Sequence, residues 1–336
     1  MTTQQKDIRA AAVLPDAKTR LAVLESMIRV RLAEEAIAAL YGEGEIRCPT
    51  HLCIGQEAVA AGISVLLSRD DLVFSGHRSH GHYLAKGGDM NAMFAELYGR
   101  VTGCARGKGG SQHLVDLACG FMGAAPILSS TISVGVGSAW AAKLDRRDQV
   151  SIVYFGDGAT EEGTFHEALN FASVHKLPVI FVCENNLYSV HSAMDIRQPE
   201  GRPIALLGTA HGMPSVTCDG NDADVVHAHA AEAVARARAG EGPSFIECMT
   251  YRWMEHCGPG DDIPLGYRTA EELADWRIRD PLAIYRDRLA AAGELGAAAE
   301  ADLMKKARDE VAAAVAFAKA SPYPEAAELS EHVFPV

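Results

Sequence analysis

The sequence predicts an α/β fold, a parallel sheet flanked by helices, with a helical N-terminal extension and a helical C-terminal tail. Two observations carry this. VSIVYF at 150–155 and PVIFVC at 178–183 are apolar without interruption, as in strands covered on both faces. From residue 149 such runs alternate with helix-periodic segments, the pattern that builds parallel sheets with crossover helices.

Taken in order, Leu21, Leu24, Ile28, Leu32, Ile37 and Leu40 recur at helical spacing; Asp16 or Thr19 caps the start, and Gly42 and Gly44 stop it. A second helix fits Gln56 to Leu67, and DLVFSGH reads as a short strand entering a histidine-rich turn. Residues 99–123 are glycine-rich and read as loop. A helix over about Val134–Leu144 precedes the VSIVYF strand, and residues 161–175 place Phe165, Ala168, Leu169 and Ala172 on one helical face. After PVIFVC come a helix, a strand at 215–218, a helix at 222–239 and a strand at 244–248. Beyond residue 270 the chain is helical and alanine-rich, a packing or assembly surface. No repeat or linker divides the chain, so residues 16–336 read as a single domain behind a flexible N-terminus at 1–15.

The net charge of −13, from 44 acidic and 31 basic residues, argues against a nucleic-acid groove or an anionic membrane surface as partner. No apolar run approaches the roughly 20 residues needed to span a bilayer, and the N-terminus lacks signal-peptide features, so a cytoplasmic protein is expected. The eight cysteines contain no C-x-x-C pair, which argues for buried thiols over structural zinc.

Two phosphate motifs fail. GKGGS at 107–111 has Thr102 and Gly109 where a P-loop needs glycine and Ser/Thr, and Gly135-Val-Gly137 has Trp140 at the third glycine of a dinucleotide fingerprint. A third constellation survives. Asp157 of GDG ends one predicted strand, and Asn186 of ENN lies 29 residues later, just past the next. One helix intervenes, so both stand at the sheet edge where open α/β sheets bind ligands. Asp and Asn oxygens suit Mg²⁺, which shares its shell with phosphates and water. Gly156 and Gly158 allow close approach, and a helix starting near 160 aims its N-terminus at an anion. A bare carboxylate about 4 Å from a phosphate costs on the order of 4 kcal/mol per charge pair at an effective dielectric of 20. A bridging cation reverses that sign.

With HLCIGQEA (51–58), HRSHGHYLAKG (77–87), GKGGSQH (107–113), GDGATEEG (156–163), ENNLYS (184–189), TYR (250–252) and WRIRDPL (276–282), the chain resembles the alpha subunits of the first component of 2-oxo acid dehydrogenase complexes, of pyruvate or acetoin type, over roughly residues 20–290. The resemblance implies a thiamine diphosphate-binding fold. It implies Mg²⁺ ligation by Asp157, Asn186 and the Tyr188 carbonyl, backbone contacts to the diphosphate from Gly158 and Ala159, and His77 and Arg78 beside the diphosphate. Leu128 falls against the aminopyrimidine ring, and His51, His80 and His256 fall near cofactor and substrate as catalytic histidines; His82, His113, His175 and His191 read as structural. It also implies a beta subunit that supplies the activating glutamate in a two-alpha, two-beta heterotetramer, and a lipoyl acyltransferase partner. Glu57 is not that glutamate. The chemistry expected is decarboxylation of a 2-oxo acid or cleavage of acetoin, the acyl group passing to a lipoyl arm; the alternative is a thiamine-dependent carbon–carbon bond-forming or cleaving enzyme without a lipoyl partner. Two departures stand out. His77 replaces a common tyrosine, and YRWMEH at 251–256 puts Met254 and Glu255 where a His-Gly pair is usual, which predicts an added carboxylate in the substrate channel.

Overall fold

The computed structural model describes residues 15–331. The flexible stretch expected at 1–15 lies, apart from Pro15, outside them. No described helix is long and apolar enough to cross a membrane.

Helix α1 (Ala17–Leu40) starts where Asp16 accepts from the Thr19 amide, and gives way to a short 3-10 turn before Gly44. There follow α2 (Glu57–Ser64), β1 (Leu72–Ser75), α3 (His80–Ala85), α4 (Met90–Leu97), β2 (Phe121–Ala124), α5 (Ser130–Leu144), β3 (Ser151–Gly156), α6 (Gly163–Val174) and β4 (Val179–Asn185). The two-residue strands β5 (Tyr188–Ser189) and β6 (Ser192–Ala193) form a small antiparallel pair. Then come α7 (Ala205–Ala210), β7 (Ser215–Asp219), α8 (Ala223–Arg238), β8 (Ser244–Met249), α9 (Ala270–Ile278), α10 (Pro281–Ala291) and α11 (Ala297–Ala320).

The main sheet has the order β2-β1-β3-β4-β8-β7, and every pairing is parallel. The α/β fold expected of the sequence is the fold observed. Alternation along β3 and β4 explains the unbroken apolar runs. Ile152, Tyr154, Ile180 and Val182 pack into one core with α1, α2, α4 and α8, while Val153, Phe155, Phe181 and Cys183 pack into another with α5, α6 and α7. The N-terminal half of α1 joins α10 and α11 in a third cluster around Leu24, Met27, Tyr285 and Leu289, so extension and tail brace each other.

Three local expectations change. The glycine-rich stretch read as loop ends in β2, an edge strand of four residues, and β5–β6 were not foreseen. The helix expected from near 160 begins at Gly163, because Asp157–Glu161 winds as a 3-10 turn first.

From β1 the chain moves outward to β2, and from β3 it moves outward the other way to β4. The strand order therefore reverses between β1 and β3, which opens a crevice at their carboxyl ends.

Candidate functional site

A cavity of about 390 Å³ occupies that crevice, within the range of small-ligand sites. Its floor comes from strand ends: Ser75 to Arg78 after β1, Tyr154 to Ala159 on and after β3, Glu184 on β4, and Asn186 to Val190 beyond it. Asp157 and Asn186, 2% and 7% exposed, meet there because Gly156 of β3 pairs in register with Glu184 of β4.

The backbone is specialised at this floor. A Cβ on Gly158 would lie 2.5 Å from the Ser189 Oγ, so a larger residue there must displace that hydroxyl in the loop after β4. Leu187 and Val190 hold left-handed φ values of 72° and 54°. Such strain in a β-branched residue is rare and persists where the surroundings fix it, typically at binding sites.

Asp157 pairs with Arg197, which also reaches Glu161. Burial pushes the Asp157 carboxyl above its ordinary range, and the guanidinium pulls against that. A cation held by Asp157 would require Arg197 to withdraw toward Glu161. Nothing in the sequence marked Arg197, 40 positions from its partner.

Also lining the cavity, His51, His77 and His256 stand edge to face, with ring centroids 4.4, 4.8 and 5.5 Å apart. Burial, then the neighbouring Arg78, drops His51 to about 2, and the same two causes drop His77 and His256 to about 3. All three are therefore neutral at pH 7, able to donate one hydrogen bond and accept another. Arg78 is buried, donates to the Leu52 carbonyl, and is pushed down to about 10 by burial and then Arg252. Leu128 lines the cavity beside Ser129, a non-glycine residue at φ 50°.

His80 departs from expectation. It does not line the cavity but is fully buried, its Nδ1 on Glu34 and its Nε2 2.7 Å from the Ser111 Oγ. Glu34 also accepts from the Cys53 amide, so His80 ties α1 to the segment carrying His51. His82, read as structural, lines the cavity instead. It stacks on Tyr154 at 3.9 Å and places Nδ1 2.8 Å from the Ser75 Oγ and Nε2 3.2 Å from Glu184. Two positions apart on a helix means about 200° apart in azimuth, so the two histidines face opposite ways.

Three further polar residues escaped sequence reading. Gln56 is 1% exposed, lines the cavity, and has no partner for either amide atom among the described residues, the mark of a group waiting for a ligand. Gln112 places its Nε2 3.3 Å from the His51 Nδ1. Glu96, 1% exposed, accepts from the amides of Ala105, Gly107, Gly109 and Gly110 at 2.7–2.9 Å and so shapes the loop that delivers Ser111 and Gln112. Glu96→Ala is expected to leave four donors unpaired, at about 1 kcal/mol each. Hydrogen exchange at 105–110 should accelerate; unchanged exchange there would refute this role.

The added carboxylate expected in the channel is not there. Glu255 folds back on its own loop, accepting from the Gly260 amide at 2.8 Å while its own amide donates to the Gly260 carbonyl at 3.1 Å. Its charge closes a turn and does not face the cavity. Below it, Arg252 and Arg268 clamp the buried Asp262 and fix the segment that carries His256.

The family model described as "Dehydrogenase E1 component" matches residues 25–327. The chain is 39% identical to the alpha subunit of acetoin:2,6-dichlorophenolindophenol oxidoreductase from Bacillus subtilis (strain 168), over 92% of each chain. It is 41% identical to the subunit of the same name from Cupriavidus necator, over 96% of this chain and 97% of that one. It is 38% identical to the alpha subunit of the pyruvate dehydrogenase E1 component from Rhizobium meliloti (strain 1021), over 92% of this chain and 88% of the relative. With a matching family model across most of its length and relatives of this identity over nearly whole chains, the protein belongs to the dehydrogenase E1 component family, on the alpha-subunit side.

Proposed function

We propose that this chain is the alpha subunit of a thiamine diphosphate-dependent dehydrogenase that decarboxylates a pyruvate-like 2-oxo acid or cleaves acetoin, passing the acyl group to a lipoyl acyltransferase partner. The observation that carries the reading is the meeting of Asp157 and Asn186 at the carboxyl ends of β3 and β4, on the floor of the cavity.

The residues present fit a metal-bound diphosphate. Asp157 and Asn186 offer hard oxygens for Mg²⁺, with the Tyr188 carbonyl as third protein ligand. The missing side chain at Gly158 leaves room for phosphate oxygens against the backbone of Gly158 and Ala159. Arg78 supplies a buried positive charge with His77 beside it, Leu128 an apolar wall for the aminopyrimidine, and Gln56 two unspent amide atoms for a ring edge or substrate oxygen. Bound there, the cofactor supplies an electron sink for the cleaved carbon–carbon bond.

This chain's residues would hold the cofactor and screen it from water. His51 and His256, neutral and close to one another, hold hydrogen bonds to the substrate. His80 acts through the Glu34 contact, as a positioning residue. Residues 16–336 serve as one cofactor-binding domain.

The lining carboxylates are Asp157, paired with Arg197, and Glu184, beside His82. Neither is free to activate a cofactor ring, which supports a beta subunit as the source of the activating glutamate. Ile127, Val134 and Leu144, all more than half exposed, form apolar surface beside the cavity and on α5 that suits such a partner in a two-alpha, two-beta assembly in the cytoplasm.

The test is reconstitution. The chain alone is expected to show no turnover; co-expressed with its beta subunit it should reduce an artificial acceptor with pyruvate, a branched 2-oxo acid or acetoin. Full activity from the isolated chain would overturn the shared-site reading. Activity on aldehyde acceptors, with none toward a lipoyl domain, would favour a carbon–carbon ligase or lyase.

A further inference from the structure

The three imidazoles that line the cavity do more than any one of them can. His51, His77 and His256 are contributed by segments far apart in sequence, yet each presents a ring nitrogen within 4.8 Å of the others, and among the described residues they form the one such group of three or more. Their centroids are 4.4, 4.8 and 5.5 Å apart and their planes are inclined by 63°, 81° and 69°.

Three imidazoles around one tetrahedral ion with Zn–N of about 2.0–2.1 Å bring their ring centres to roughly 5 Å from one another. The observed triangle brackets that value. Stacked rings could not aim their nitrogens at one point, whereas mutually inclined rings can. Gln112 is placed to help: with its amide turned over, its oxygen accepts from the His51 Nδ1–H and frees the other ring nitrogen as a ligand.

We propose that His51, His77 and His256 form a binding site for a borderline transition-metal ion of the zinc class, closed by water, hydroxide or chloride as fourth ligand, and that the ion obstructs the cavity these histidines line. The donor set is all imidazole, which suits zinc, copper, nickel and cobalt and disfavours Mg²⁺. It is distinct from the oxygen donors Asp157 and Asn186 on the floor. Arg78, which acts on all three histidines, and Arg252, which acts on His256, oppose a dication here. They set the affinity below that of an unopposed three-histidine site, and an anionic fourth ligand offsets them. The outcome is a reversible inhibitory site.

Cobalt(II) added to the full-length chain in excess Mg²⁺ is the test. One equivalent should bind with the intense visible absorption of four-coordinate cobalt, and zinc should displace it. His77→Phe and His77→Asn, each checked for an unchanged melting temperature, should weaken binding by more than the roughly 10–100-fold typical of losing an outer-shell partner. His211→Ala removes half of the separate His166–His211 contact at 3.3 Å and should change nothing. Weak absorption of six-coordinate cobalt, displacement by Mg²⁺, loss of the bands in His211→Ala, or bands that survive in both folded His77 variants would each overturn the site. Because binding is read on this chain alone, it is decided separately from the proposed dehydrogenase activity. In reconstituted enzyme, zinc should inhibit wild type more strongly than His77→Asn, and equal inhibition of the two would refute the obstructing role.

Discussion

Asp157→Asn is expected to weaken binding of thiamine diphosphate in the presence of Mg²⁺ by at least about 100-fold, equivalent to roughly 2.8 kcal/mol, and to abolish turnover in the reconstituted enzyme. Asparagine keeps the volume and one oxygen but removes the negative charge that a dication beside a diphosphate needs. The loss should therefore appear in metal-dependent affinity, measured by titration calorimetry at several Mg²⁺ concentrations. Arg197 retains Glu161 as a partner, so it is not left without a counter-charge and the fold should survive. Calorimetric affinity equal to wild type would remove the metal–diphosphate reading of the strand ends. A drop in melting temperature with affinity intact would make the Asp157–Arg197 pair purely structural.

How far this site was legible in the sequence follows from the range of the interactions that build it. β3 and β4 could be read because both faces are buried, so every residue carries the signal; their ends then place Asp157 and Asn186 at one edge without further information. β2 could not be read. It is a four-residue edge strand with glycine at 123, and only its two ends, Phe121 and Ala124, reach the core. The exchange of His80 for His82 has a similar origin. Both lie in one motif, and which of them meets the cavity depends on the phase of α3, set by the packing of that helix against α1 and α2. Glu255 was misplaced for the opposite reason. A negative side chain three and five residues before Gly258 and Gly260 is a local turn signal, and here that local signal outweighs its adjacency to His256. Arg197, Gln56 and Gln112 are long-range partners, and no periodicity announces them.

Glu57 offers the sharpest separation of structure from chemistry. It belongs to the GQE segment at the cavity wall, yet it is fully buried and faces away from the cavity that its neighbour Gln56 lines. Arg31 of α1 donates to it through Nε at 2.5 Å and Nη2 at 3.0 Å, and the Gly55 amide lies 3.1 and 3.2 Å from its two oxygens. The guanidinium also reaches Asp280 at 2.9 Å and packs 4.6 Å from the Trp253 ring. Gly55 itself must be glycine: φ is 95°, and a Cβ would come within 2.5 Å of the Trp253 Nε1. One buried ion pair thus joins α1, the GQE turn, the tail and the segment leading to His256. Glu57→Ala leaves Arg31 buried with only Asp280 to balance it, and breaking such a pair costs about 3–5 kcal/mol. At the roughly 2–4 °C per kcal/mol typical of larger domains, the melting temperature should fall by about 10 °C. Replacing both partners, Arg31→Met with Glu57→Leu, should recover part of the loss, since no uncompensated charge remains. Catalysis should respond far less than stability. The folded fraction of Glu57→Ala, assayed well below its transition, should retain cofactor binding, with turnover reduced only as far as Gln56 is displaced. Complete loss of turnover at an unchanged melting temperature would instead make Glu57 a group in contact with the reaction, and would remove the need for a glutamate from the beta subunit.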